Sequence, residues 1–408
     1  MSAVAFDRLP TVTSFAEAEL VLRNRDLMVG MSPEADPVMD HVLQRLHGDE
    51  HFDRRRMESV LFRKELLARY ELESLLPALR EELKKALRRN PDATDVPADL
   101  LITARTALTR QTAGLVGLDG VDGEDAANRL RVIAERLRDA AAVTWSTRDH
   151  AEVMRVAVQA LEELRSDFYL PSLSRRREKS ASGDMESGSP DLLTLLLRHH
   201  GQDWDEELWL RETALFVLAS SGTLSNAISY AVVELEGWFA KHPEDRGLVT
   251  DIDFLTAAAS ESLRLHPTPP FLARVAVKDT TVGTTQYREG EYLRIDLGAV
   301  NRDPTVFGLD ADDFNPLRKV ETTRLYGLAF GGGAHMCIGR PLAMGPHTGE
   351  ADLGSAVGGL VRLFDKLYRV GVRLDPQNPP MHSPEVFQHL FLSVPVVFTT
   401  LREGLEDW

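Results

Sequence analysis

The chain has 408 residues, 43% of them hydrophobic, enough for a sizeable core. Its 47 basic and 63 acidic residues give a net charge of -16, which argues against non-specific binding to nucleic acid or anionic membranes. A single cysteine, with neither CxxC nor HExxH, excludes an internal disulfide and the commonest zinc sites. No apolar run reaches about 18 residues, and the start, MSAVAFDRLP, lacks the regions of a signal peptide, so a cytoplasmic chain without a membrane span is expected.

In chain order, TVTSF (11–15) carries the first strand signal. Helical periodicity then covers 65–90, 97–116, 124–143 and 150–170. The stretch SRRREKSASGDMESGSPD (174–191) is rich in Ser, Gly and charge and is expected to be an exposed, mobile loop. No compositional change divides its flanks, so it suits a flexible loop inside one domain as well as a linker between two. Helices follow at 205–241 and 252–265. A strand zone spans 274–300, where REG (288–290) is expected to turn a hairpin. The fold class is mainly α with small β-sheets.

The sole cysteine, Cys337, lies in FGGGAHMCIGRPLA (330–343). A lone cysteine is most often a small buried apolar group. Here Gly331, Gly332, Gly333 and Gly339 let backbone approach something flat or bulky and turn amides toward the sulfur, while His335 and Arg340 offer donors for carboxylates. The stretch satisfies every fixed position of F-G-x-G-x-H-x-C-x-G-x-x-L-A and so resembles the haem-ligand loop of the cytochrome P450 family, above all its soluble bacterial members. The resemblance implies haem b held by the Cys337 thiolate in a single trigonal-prism-like domain over 1–408, with the haem between this loop and a distal helix. It makes His335 a propionate ligand and sets Phe330 beside the sulfur.

Other motifs follow in the family's order. ESLRLHP places Glu261 and Arg264 on one helical face. Such a pair is commonly an exposed salt bridge of little worth; the resemblance makes it the buried structural ExxR pair, completed from within NRDPTVFGLDADDFNPLR (301–318). Arg274, His51 and Arg55 match further propionate contacts. Asn301, Arg302 and Asp303 match the family's NRD and are expected to be structural. The resemblance covers nearly the whole chain, with a shortened N-terminal portion. The distal helix would be 205–241.

Two departures stand out. Aligned on Thr223 as the distal alcohol, Ala219 and Ser220 take the family's small pair, and Gly222 stands where an acid normally relays protons toward the oxygen being split. Water held by Ser220, Ser221 and Thr223, a carboxylate of the substrate, or different chemistry are the open alternatives. After Leu342 and Ala343 come Met344, Gly345, Pro346 and His347, where the proline should kink or delay the next helix on the face that docks electron donors in similar proteins.

The resemblance therefore implies a monooxygenase acting on a small or medium hydrophobic molecule, in secondary metabolism, with NAD(P)H-derived electrons from ferredoxin reductase and ferredoxin. Gly222 keeps a second alternative open: a peroxygenase, an N–O cleaving nitrene-type transferase or a dehydratase. A non-catalytic haem sensor or carrier is the third. Candidate pocket residues are Phe216, Leu218, Ala219, Phe271, Leu272 and Phe391, with the region 31–47; each suits an ordinary core equally. Arg54, Arg55, Arg56, Arg63 and Lys64 form a basic cluster suited to an acidic partner or simply to solvent.

Overall fold

The computed structural model describes residues 8–182, 190–200, 203–346, 356–384, 390–406 and 408. Helices in chain order are Phe15–Arg23 (α1), Asp36–Met39 (α2), Gly48–Glu58 (α3), Lys64–Arg69 (α4), Leu76–Arg89 (α5), Leu100–Val116 (α6), Glu124–Ala141 (α7), His150–Leu164 (α8) and Leu170–Ala181 (α9). Leu192–His200 (α10), Glu206–Lys241 (α11), Ile252–Leu265 (α12), Leu297–Val300 (α13), Pro304–Phe307 (α14), Arg340–Met344 (α15), Gly359–Arg369 (α16) and Leu401–Glu406 (α17) follow.

The strands are short: Thr11–Val12 (β1), Leu27–Val29 (β2), Val96–Asp99 (β3), Phe271–Ala276 (β4), Thr280–Val282 (β5), Thr285–Tyr287 (β6), Tyr292–Asp296 (β7), Val372–Leu374 (β8), Met381–His382 (β9), Phe391–Ser393 (β10) and Pro395–Phe398 (β11). The largest sheet has the order β1-β7-β4-β2, a second β3-β11-β8, and two pairs, β5-β6 and β9-β10, complete the set. Among the described residues only β1 and β7 run parallel; the register across β4 and β7 sets Arg274 opposite Leu293.

Each helix forms for local reasons. The carboxylates of Asp99, Asp205 and Asp251 accept from Ile102, Leu208 and Asp253 amides and so cap α6, α11 and α12. α11 is buried nearly all round, from Trp209 to Phe239, because α6, α7 and α12 pack on it. It is also the one helix among the described residues long and apolar enough to span a membrane, but 78% of its most apolar window lies inside the protein.

Three sequence expectations need correction. The 174–191 stretch is not a loop over its first half: α9 continues through Ala181, and residues 183–189 lie outside the described residues. The 65–90 and 150–170 helices contain π-turns, Tyr70–Leu75 and Arg165–Tyr169, each just before a proline at the start of the next helix, Pro77 and Pro171. A proline lacks the amide and crowds the carbonyl four residues back, and a widened turn accommodates both without ending the helix. REG does not turn a hairpin, since it joins β6 to β7, which do not pair; the paired strands β5 and β6 are linked at Gly283, whose φ is 59°.

Candidate functional site

The Cys337 loop is fixed by backbone. Cys337 N donates to Phe330 O at 2.8 Å and Gly331 N to Leu328 O at 2.8 Å. Gly333 has φ 63°, and a Cβ there would collide with the carbonyl of Leu22, so the loop seats directly on the end of α1. Phe330 packs edge-on to Tyr326, with ring centroids 5.1 Å apart. Burial pushes the Cys337 thiol pKa up, while the amides of Gly339 and Arg340 and the charge of Arg55 act the other way. The residue nonetheless counts as exposed.

Cationic and imidazole groups surround this loop. Arg55 of α3 donates to Met336 O at 2.5 Å. One turn earlier on α3, His51 is buried and its ring lies 4.1 Å from that of His335. Burial first, then Arg55 and His47, lowers His51 to about 4; burial, then His51 and Arg274, lowers His335 to about 3. Arg274 of β4 is 4% exposed, and its one hydrogen bond here is from Nη1 to Ala273 O at 2.9 Å; among the described residues no carboxylate pairs with it. Burial alone pulls its pKa down to about 10. A buried guanidinium without an anion is costly, so this geometry suits a ligand with acidic groups.

The ExxR pair is fully buried. Arg264 Nε and Nη2 each bond a Glu261 oxygen at 2.7 Å, and Nη1 reaches Asn301 O and Ala311 O at 2.7 and 2.6 Å. The partner left unassigned in 301–318 is Arg318, whose Nε bonds Glu261 at 2.9 Å. The exposed-pair alternative for Glu261 and Arg264 is thereby overturned. The NRD residues tie neighbouring turns: Asn301 Oδ1 accepts from Leu328 N, Arg302 Nη1 donates to Gly298 O, and Asp303 Oδ2 accepts from Phe15 N.

On α11, Ala219 is exposed and Ser220 and Thr223 half-buried within the mostly buried stretch from Trp209 to Val232. Ser220 Oγ hydrogen-bonds Thr112 of α6, and Ser221 is buried. Thr223 Oγ1 donates to Ala219 O at 2.6 Å. The carbonyl of Gly222 accepts from Ser225 Oγ and from Asn226 Nδ2, both at 3.0 Å, and Asn226 Oδ1 accepts from Phe391 N at 3.0 Å. Where a side chain would leave Gly222 lies the guanidinium of Arg138 from α7, which an added Cβ would strike. Sequence reasoning missed Arg138, because nothing local links it to a glycine 84 positions later.

The pocket candidates divide. Leu272 lies half-buried beside Gly331, whose added Cβ would sit 3.6 Å from its Cδ1. Phe271 is half-buried and stacks on Trp145 at 5.6 Å. Phe216, stacked on Phe62, and Leu218 belong to the core built from α2 through α11, and Phe391 stacks on His382 and lies tilted against Tyr230. The basic cluster also needs correction: Arg54 is not a surface group, since its side chain is 8% exposed and pairs with buried Glu212 at 2.9 Å, leaving Arg56, Arg63 and Lys64 exposed. α15 stops at Met344 and Gly345 turns with φ 76° ahead of Pro346; His347 lies outside the described residues.

The family model described as "Cytochrome P450" matches residues 245–345, which hold the ExxR pair, Arg274 and the Cys337 loop. Nocardicin C N-oxygenase of Nocardia uniformis subsp. tsuyamanensis is 33% identical over 216 residues, 52% of this chain and 49% of that protein. Over this span the chain is similar to the cytochrome P450 family. A biotin biosynthesis cytochrome P450 of Bacillus subtilis is 31% identical over 190 residues, 46% of this chain and 42% of that protein. The matched chain thus spans less than half the length of these curated relatives. Among solved structures, CalO2 superposes with a TM-score of 0.73 at 21% identity, covering 96% of this chain and 90% of that one. P450BioI, solved with an acyl carrier protein ligated to hexadec-9Z-enoic acid, gives 0.69 at 22% identity over 95% and 92%. The fold is the cytochrome P450 fold.

The cytochrome P450 match implies haem with cysteine thiolate ligation. The residues present fit that group: a buried arginine with no carboxylate partner suits a propionate, and the single thiol is flanked by two amides acting to lower its pKa.

Proposed function

We propose that the chain is a haem-thiolate monooxygenase of bacterial secondary metabolism, acting as one soluble domain on a small or medium hydrophobic molecule. The observation that carries this reading is Cys337 with the Gly339 and Arg340 amides acting on its sulfur and Arg274, Arg55, His51 and His335 around it. When bound, the haem would supply the activation of dioxygen, with electrons arriving from a ferredoxin-type partner.

The chain's own residues do the rest. The two amides hold the thiolate against the effect of burial, and Arg274, Arg55 and the neutral His51 and His335 would donate to propionates. Leu272, Phe271 and Ala219 would contact the substrate. The Thr223 hydroxyl proton is committed to Ala219 O, so its free lone pairs accept, and it passes a proton only by rotating. No acid at 222 reloads it; Ser221, water or the bound molecule must do so.

A difference spectrum of the reduced, carbon monoxide-bound protein tests the reading. A thiolate-type Soret band in the wild type and its loss in Cys337→Ser are expected; no such band in the wild type would sink it. Oxygen uptake with NADPH, surrogate ferredoxin and reductase then tests the oxygenase step. Gly222 in place of the acid motivates one rival, a haem-thiolate enzyme that uses peroxide or an N–O substrate. Turnover by either without reductant, and no coupled oxygen uptake, would select that rival.

A further inference from the structure

Arg138 of α7 reaches the distal helix without a close carboxylate partner among the described residues. Its side chain is 20% exposed, and its nearest carboxylate among the described residues is Asp139 at 3.9 Å. Asp139 is itself held by Arg148 at 2.8 Å. The other charges on this face are equally committed: Arg105 and Arg131 both bond Glu135 Oε1 at 2.7 Å, and Arg105 Nε also reaches Ser225 Oγ at 3.3 Å. Three guanidinium groups thus share the α6, α7 and α11 junction with Glu135 and an Asp139 already paired elsewhere, an excess of positive charge in a partly desolvated place.

The excess is aimed at a defined spot. Arg138 Nη1 abuts Gly222, with Cδ 3.2 Å and Cζ 3.3 Å from where a Cβ would be. At about 100° per residue, Gly222 lies about 60° round the helix from Ala219 and is followed by Thr223; Ala219 is exposed and Thr223 half-buried. A side chain at 222 would fill the contact; glycine leaves the guanidinium lying against the helix with no carboxylate nearer than 3.9 Å among the described residues. A planar guanidinium with free donors is a bidentate receptor for an oxyanion.

We propose that Arg138 receives an oxyanion, of the carboxylate class, beside Gly222 and Thr223, so that the ligand supplies the acidic group the helix lacks. The proposal deepens the monooxygenase reading and rests on it only in placing a substrate there. Substrate and free-anion sources present the same chemistry, and the probes separate them.

The test uses the haem-loaded full chain with decanoate, decanol, acetate and inorganic phosphate, read by the haem spin-state shift and by the thermal midpoint. Decanoate is expected to bind about tenfold or more tighter than decanol. Arg138→Gln should abolish that preference and Arg138→Lys retain part of it. Gly222→Asp, which sets a carboxylate against the guanidinium, should abolish it too. Acetate and phosphate raising the midpoint as far as decanoate, through Arg138, would assign the site to free anions; a raise by decanoate alone assigns it to the substrate. No preference in the wild type, or an undiminished one in Arg138→Gln, overturns the proposal. The midpoint does not depend on haem chemistry, and the carbon monoxide spectrum is taken on the same samples, so failure here is distinct from failure of the monooxygenase reading.

Discussion

At the scale of single residues, two carboxyl groups stand apart from the haem site. Glu58 of α3 and Glu212 of α11 are both fully buried; Glu212 accepts from Leu43 N at 3.0 Å and from Arg54, whereas neither oxygen of Glu58 finds a donor. Two carboxylates side by side cannot hydrogen-bond unless one keeps a proton. Burial, reinforced by the neighbouring charge, pushes Glu58 well up, and burial raises Glu212 to about 7. A carboxyl with a raised folded pKa holds a proton the unfolded chain has lost. The pair's stabilisation is therefore full below the ordinary carboxylate range and falls as pH rises toward about 7. Glu58→Gln should flatten the slope of unfolding free energy across that window, measured by urea melts at several pH values; an unchanged slope would place the proton elsewhere. Gly333→Ala should be worse than neutral. Its positive φ costs about 1–3 kcal/mol for a side chain, and the Leu22 carbonyl blocks the Cβ, so a lower thermal midpoint and weaker haem retention are expected.

At the scale of elements, α12 and the segment after α14 are joined through Arg264, which is buried with Glu261 and satisfies carbonyls of Asn301 and Ala311. Arg264→Ala would strand the Glu261 charge, a loss of about 3–5 kcal/mol, read in the denaturation midpoint of the apoprotein as well as in haem uptake. A retained midpoint would mean that Arg318 alone neutralises Glu261. The pair was legible from its i, i+3 spacing, but its burial was not, because burial comes from the carbonyls of a segment 37 to 49 positions downstream. The same limit hid Arg138 behind Gly222 and sent Arg54 inward to Glu212, since neither side chain's partner is on its own element. The π-turns ahead of Pro77 and Pro171 were hidden differently. A proline says that a helix is disturbed there, and packing decides whether it stops or widens.

At the scale of the whole molecule, a net charge of -16 coexists with an exposed basic patch at Arg56, Arg63 and Lys64. For an acidic electron donor the patch would steer encounter against the global repulsion. Reversing all three charges should slow the first electron transfer from ferredoxin by about tenfold or more at low salt, with the gap narrowing at high salt. Equal rates in stopped-flow at both salts would remove the patch from the docking face.

The sequence by itself determined the cofactor and the helical class, because the thiolate loop and the helical periodicity are local: residues 330–343 carry their donors, turns and ligand within one span. Tertiary structure decided which charges are buried, which are paired and what stands against Gly222. Those facts depend on elements far apart in sequence packing within a few ångströms, where desolvation makes an unmatched guanidinium or carboxyl costly.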